Sequence, residues 1–214
     1  MLRFYSILLA SSAIALLSSC ATTRHGSAEN ELQTREQRSL ELAEITAWKI
    51  SGALAIREPG DAWSATVNWL QNGNKNYVLK LLAPAGMGTV KVVGNPTTVT
   101  LTDSNKQTFT APTGEVLLEQ QTGWYIPVSN LFYWIRGVEV PGLPANKKLD
   151  KYKHLASLSQ QGWTIDYLRF TNVNGVDLPS KLSLSYQNLQ IKLIIKRWEI
   201  PKLPQTSSLT KVTP

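Results

Sequence analysis

The chain has one cysteine, two histidines and two methionines in 214 residues, and these shortages exclude more than its average composition does. A single thiol, Cys20, can form neither an internal disulfide nor a multi-thiolate metal site. His25 and His154 lie far apart, with no second ligand spaced for a shared metal ion. There is no GxSxG elbow, no phosphate-binding P-loop and no CxxC pair. Asp61, Asp103, Asp150, Asp166 and Asp177 are scattered over turns and polar faces, where solvation accounts for them, and His154 is read as a surface residue. The expectation is a protein without catalytic residues, metal or cofactor.

No apolar run reaches the about 20 residues that a membrane-spanning helix needs. The first nineteen residues instead have the layout of a secretory leader: a basic start at Arg3, a short apolar stretch to Leu17, then small residues. The ending "LSSC" resembles a bacterial lipobox, in which the cysteine is acylated and becomes the first residue of the mature protein. Residues 1–19 are therefore expected to be a lipoprotein signal, with Cys20 as the lipidation site. Ala21, where an Asp would favour the inner membrane, points to the outer membrane, facing the periplasm. Residues 20–28 read as a flexible acylated tether, 29–201 as one domain and 202–214 as a loose tail.

Acidic charge is also short. Without the leader, 21 basic residues stand against 15 acidic ones, a net of +6. An exported, acylated protein meets little nucleic acid, so anionic lipid head groups or acidic partners are the expected counterparts. Lys49, Arg57, Lys80 and Lys91 are candidates for such contacts, and a monomer is expected.

What the chain does have is alternation. After an amphipathic segment with Leu32, Leu40, Leu42 and Ile45, the period changes to 2. Trp48, Ile50, Leu54 and Ile56 share one phase, followed by Trp63, Ala65, Val67 and Trp69, then Tyr77, Leu79 and Leu81, then Val90, Val92, Val99 and Leu101. Short polar loops between these runs mark antiparallel hairpins with one buried face. Between Thr113 and Gly137 the period is helical, with Thr113 as N-cap and Gly123 as stop. Leu131, Trp134 and Ile135 form one stripe of the second helix. Four more strands follow, near "HLASLSQ", "WTIDYLRF", "LPSKLSLSY" and "LQIKLIIKRW". The predicted architecture is α+β: one curved antiparallel sheet forming a half-open barrel, with helices covering its concave face.

Seven tryptophans fall mostly on the apolar phase of these elements. A curved sheet walled by such large rigid side chains leaves space suited to a long apolar ligand. The competing expectation is an acylated scaffold of the cell envelope whose core is simply filled.

From about Ile45 to Ile200 the chain resembles the LolB family of outer-membrane lipoprotein receptors. The resemblance is carried by "AWKISGALAI", "YVLKLLAPAGMGTVKV", "IPVSNLFYWIRG" and "LQIKLIIKRW", in that order and downstream of a lipobox. It implies a half-open barrel lidded by helices, and a task without cofactor: receiving acylated lipoprotein cargo from the soluble periplasmic carrier LolA and inserting it among outer-membrane lipids. Trp48, Trp63, Trp69, Tyr77, Leu79 and Leu81 are expected in the wall of the acyl-chain cavity, and Leu131, Trp134 and Ile135 in its lid. Family members carry an exposed Leu in the loop matching "APAGMGT", which is thought to push cargo into the bilayer. Here that position is Ala85, and Met87, two residues on, is the expected substitute.

Overall fold

The computed structural model describes residues 37–200; Cys20, His25, Leu32 and the boundaries expected around residues 19, 28 and 201 lie outside the described residues. The strands are β1 (Ala47–Glu58), β2 (Asp61–Asn72), β3 (Asn76–Leu82), β4 (Thr89–Gly94), β5 (Val99–Thr102), β6 (Thr108–Ala111), β7 (Asn146–Leu149), β8 (Leu155–Gln160), β9 (Trp163–Val173), β10 (Val176–Tyr186) and β11 (Leu189–Glu199). They form one open sheet in the order β6-β5-β4-β3-β2-β1-β11-β10-β9-β8-β7, with every pair antiparallel. A helix α1 covers residues 37–44, α2 spans Gly114–Thr122 and α3 spans Val128–Trp134.

The sheet consists of two meanders joined where the first strand pairs with the last. Tight turns set the register of each hairpin. At Gln161–Gly162 and Asn174–Gly175 both central residues have positive φ, the twist that suits two-residue hairpins. The β1–β11 seam bends at Gly52, where the register shifts. A Cβ there would lie 1.9 Å from the Ile194 carbonyl oxygen, so only glycine permits this approach.

The strand phase expected from alternation is the phase found. Trp48, Ile50, Ile56, Val67, Trp69, Leu182, Leu184, Ile191, Leu193 and Ile195 are all buried. Three local readings change. Leu40 is 67% exposed, while Leu42 and Ile45 carry the packing of α1. The edge strands β6 and β7 were not anticipated; each has only four residues, and β7 shows little alternation. The chain between these two edges carries α2 and α3, so the helices belong to the connection that spans the sheet.

Candidate functional site

Capping fixes the helical segment first. The Thr113 hydroxyl accepts from Val116 N at 3.3 Å, and Gly123 ends α2 in the left-handed conformation. Glu115, in the first turn of α2, accepts from both the backbone N–H and the hydroxyl of Ser129 at 2.7 and 2.6 Å. That carboxylate thus ties the start of α3 to the start of α2.

Arg136, just beyond α3, is 1% exposed. Its guanidinium donates to the carbonyls of Phe132 (2.8 Å), Leu42 (2.9 Å) and Ile45 (2.8 Å) and lies 4.0 Å from the Phe132 ring centroid. A cation at the C-terminal end of α1 opposes the helix dipole and satisfies its last carbonyls. Burial lowers the Arg136 pKa to about 10, so the side chain is still charged at neutral pH. This residue escaped sequence reading, because an arginine on a helical segment normally marks a solvated face.

Between the central strands and this helical segment lies a cavity of about 380 Å³. That is about thirteen times the ~30 Å³ share of one water molecule in the liquid, whereas ordinary cores hold few voids larger than a water. Its wall takes Leu54 and Ile56 from β1, Trp63, Val67 and Trp69 from β2, Leu79 and Leu81 from β3, and further aliphatic side chains from β4, β5, β10 and β11. The helical segment contributes Leu118, Thr122, Trp124, Ile126, Val128, Leu131 and Ile135. Apart from Asp61, Thr122 and three indoles, every lining side chain is aliphatic. Two of those indoles have their N–H groups engaged: Trp69 Nε1 donates to Gln71 Oε1 at 2.7 Å, and Trp124 Nε1 to Glu58 Oε1 at 3.0 Å. The space offers hydrocarbon contact and almost no hydrogen bonding.

Six of the nine residues expected at the cavity line it: Trp63, Trp69, Leu79, Leu81, Leu131 and Ile135. Trp48, Tyr77 and Trp134 are placed elsewhere. Trp48 is 2% exposed and packs its ring 5.3 Å from Trp69 and 5.6 Å from Trp198, so it supports the wall from behind. Tyr77 lies over its cross-strand partner Gly94, where a Cβ would come within 2.1 Å of the ring, and its hydroxyl reaches Gly114. Trp134 is fully buried on another side of α3, with Nε1 donating to Gln160 Oε1 at 3.0 Å and its carbonyl accepting from the Tyr167 hydroxyl. Successive helical residues turn by about 100°, so Leu131 and Ile135 face the cavity while Trp134, between them in sequence, turns toward β8 and β9.

The loop between β3 and β4 is a short 3-10 turn, Pro84–Gly86, closed by Ala83 N donating to the Gly88 carbonyl at 2.9 Å. Ala85 sits at its tip with φ 53°, and Met87 is the most exposed large apolar side chain described, at 74%. His154 is not a surface residue: it is 8% exposed, and its ring nitrogens lie 3.1 Å from Asp150 Oδ2 and 3.1 Å from Asp177 Oδ2. Among the described residues no group of three or more His, Cys, Asp or Glu is arranged to hold a metal ion, and no helix is long and apolar enough to cross a membrane.

The open antiparallel sheet is a fold also found among solved structures. The crystal structure of a DUF1329 family protein from Desulfovibrio piger aligns with a TM-score of 0.51 at 8% identity, covering 78% of this chain and 92% of that one. A LolA superfamily protein from Nitrosomonas europaea aligns at a TM-score of 0.47 and 14% identity, over 80% of this chain and 94% of that one. In sequence, the family described as outer membrane lipoprotein LolB matches residues 46–198. The outer-membrane lipoprotein LolB of Coxiella burnetii is 40% identical over 198 residues, 91% of this chain and 93% of the relative. That of Pseudomonas paraeruginosa is 40% identical over 196 residues, 90% and 95% of the two chains. The chain belongs to the LolB family. It is, accordingly, an outer-membrane lipoprotein of lipoprotein localisation, anchored by lipid at the outer membrane.

Proposed function

We propose that the cavity shelters the acyl chains of lipoproteins delivered by the periplasmic carrier LolA, before the cargo passes into the outer membrane. The observation that carries this reading is the 380 Å³ space with its almost wholly aliphatic and aromatic wall. In this reading α2, α3 and the segment joining them cover the concave face of the sheet, which the shared lining by sheet and helical residues supports. Cys20 carries the acyl anchor, and residues 20–28 let the domain range over the membrane that holds it.

Each methylene bared to water costs about 0.8 kcal/mol, so cargo crosses the aqueous periplasm only inside a sheltering protein. Hand-over needs no chemical step, no nucleotide and no cofactor, because an affinity difference of about 1.4 kcal/mol already favours the receptor tenfold. Release to the bilayer is helped by the same poverty of polar contacts: besides Asp61, Thr122 and the Trp63 indole, nothing in the wall would grip a head group. The loop at Ala85 and Met87 is the part that meets lipid, with Met87 supplying the apolar bulk that Ala85 lacks.

The test is transfer itself. The acylated protein, reconstituted in vesicles, is mixed with carrier loaded with a labelled lipoprotein, and appearance of cargo in the vesicle fraction is followed. Transfer that depends on this protein supports the reading. Failure of transfer at every ionic strength tried would overturn it in favour of an envelope scaffold.

A further inference from the structure

Lys80 and Lys91 are direct cross-strand partners in the β3–β4 hairpin. Both are exposed, and neither has a carboxylate within salt-bridge distance; the ion pairs formed among the described residues join Lys49 to Glu199, Lys147 to Glu139, and His154 to Asp150 and Asp177. Like charges directly opposite each other destabilise a sheet. Their other neighbours bring no relief, since Lys80 faces Asn68 on β2 and Lys91 faces Thr102 on β5. Asp103, next along the chain, directs its Oδ1 at the N–H groups of Asn105 and Gln107. An unrelieved cationic pair of this kind fits an anionic ligand from outside the chain.

What lies beside the pair indicates which ligand. Two residues along the same face, about 7 Å at the usual strand rise, is the Leu82–Thr89 rung, with Leu82 40% exposed. Beyond it comes the apolar loop with Met87 at its end. An apolar tip with a cationic collar suits a bilayer interface: the tip enters the acyl boundary while lysine stems extend their ammonium groups to the phosphates. An acidic protein would match the cations and leave the tip without an apolar partner.

We infer that the Lys80–Lys91 rung binds the phosphates of anionic phospholipids, so that the charge of the membrane decides how firmly the neighbouring loop engages it. This inference rests on the reading that the Ala83–Gly88 loop meets the bilayer.

The test is lysine footprinting of the acylated protein in vesicles of phosphatidylcholine alone or mixed with phosphatidylglycerol. A water-soluble amine reagent is applied, with Lys148 on the far edge strand as internal reference. Lys80 and Lys91 are expected to react about fivefold more slowly in the anionic vesicles, the ratio equivalent to one favourable lysine–membrane contact. The protection should disappear at high salt, and in Lys91→Gln the remaining Lys80 should lose most of it. Equal reaction in both lipids overturns the inference, as does protection that appears only when an acidic soluble protein is added. Failure of the transfer reading is separate: cargo transfer that is absent while the footprint persists removes the receptor role and leaves the lipid contact. Transfer that proceeds with no footprint does the reverse.

Discussion

Trp124 Nε1 donates to Glu58 Oε1 at 3.0 Å across 66 positions of sequence, joining the segment between α2 and α3 to the end of β1. Trp124 also lines the cavity, so this bond holds a wall residue against the first hairpin. Trp124→Phe keeps an aromatic ring, though a smaller one, and removes the donor. It is expected to lower unfolding free energy by about 1 kcal/mol and to speed entry of a fluorescent fatty-acid analogue. Denaturant titration and stopped-flow binding check the two effects.

Filling the cavity should separate binding from folding. Added bulk in a well-packed core costs about 1–3 kcal/mol, but Leu79 borders empty space. Leu79→Trp is therefore expected to leave stability within about 1 kcal/mol of the parent, well inside that overpacking cost. Affinity for the fatty-acid analogue should fall about tenfold, equivalent to about 1.4 kcal/mol. Fluorescence titration alongside thermal unfolding measures both.

Arg136 should be among the most costly side chains to lose. Arg136→Met leaves the carbonyls of Leu42, Ile45 and Phe132 without their donor, and a loss of about 3 kcal/mol is expected. Arg136→Lys retains the charge but cannot span three carbonyls and stack on Phe132, so it should recover only part of that loss. Chemical unfolding of the two variants gives the comparison.

Acid should act through the carboxylates around His154. Burial raises the Asp150 pKa, but hydrogen bonds from the His154 and Tyr152 backbone and from the imidazole outweigh it, and the net shift is downward. Asp177 is lowered by its hydrogen bond from Asn172, against burial, and further by His154 and Arg38. A carboxylate whose folded pKa is depressed contributes stability that is present above its unfolded value, about 3.9, and lost as pH falls through the folded one. Asp177→Asn should therefore lose stability at neutral pH and show a shallower decline below about pH 4. Unfolding curves across the acid range test the sign.

The loop makes a narrower prediction. Met87 is 74% exposed, so Met87→Asp should unfold like the parent and still accept cargo. Its delivery of cargo to vesicles should be slower, and a normal rate would reduce the loop to a simple turn.

Much of the fold was legible because hairpin strands alternate strictly: the phases of β1, β2, β10 and β11 could be taken directly from Trp48, Trp69, Leu182 and Ile191. The edge strands β6 and β7 were not: each is only four residues long, and β7 has no buried residue. In the site, phase separates inside from outside but does not say which inward residue meets a void. That is why Trp48 and Tyr77, both inward, support the wall or cover a glycine instead of lining the space. Trp134 was misplaced because it and Ile135, successive on the helix, point about 100° apart, and with both sides of the helix buried the helical period does not say which side meets the cavity. Arg136 and His154 carry polar side chains whose burial depends on partners about ninety positions away for Arg136 and about twenty for His154, beyond the reach of any local pattern.

The central claim is that cargo acyl chains occupy the cavity during hand-over. A photo-cross-linking amino acid placed at Leu131, on the cavity wall, tests it most directly, with Leu168, exposed on the outside of β9, as control. Mixed with loaded carrier and illuminated, the Leu131 position is expected to cross-link to the acyl chains of the cargo and the Leu168 position not to. Cross-linking at Leu168 alone, or at neither position while cargo is still transferred, would contradict the account.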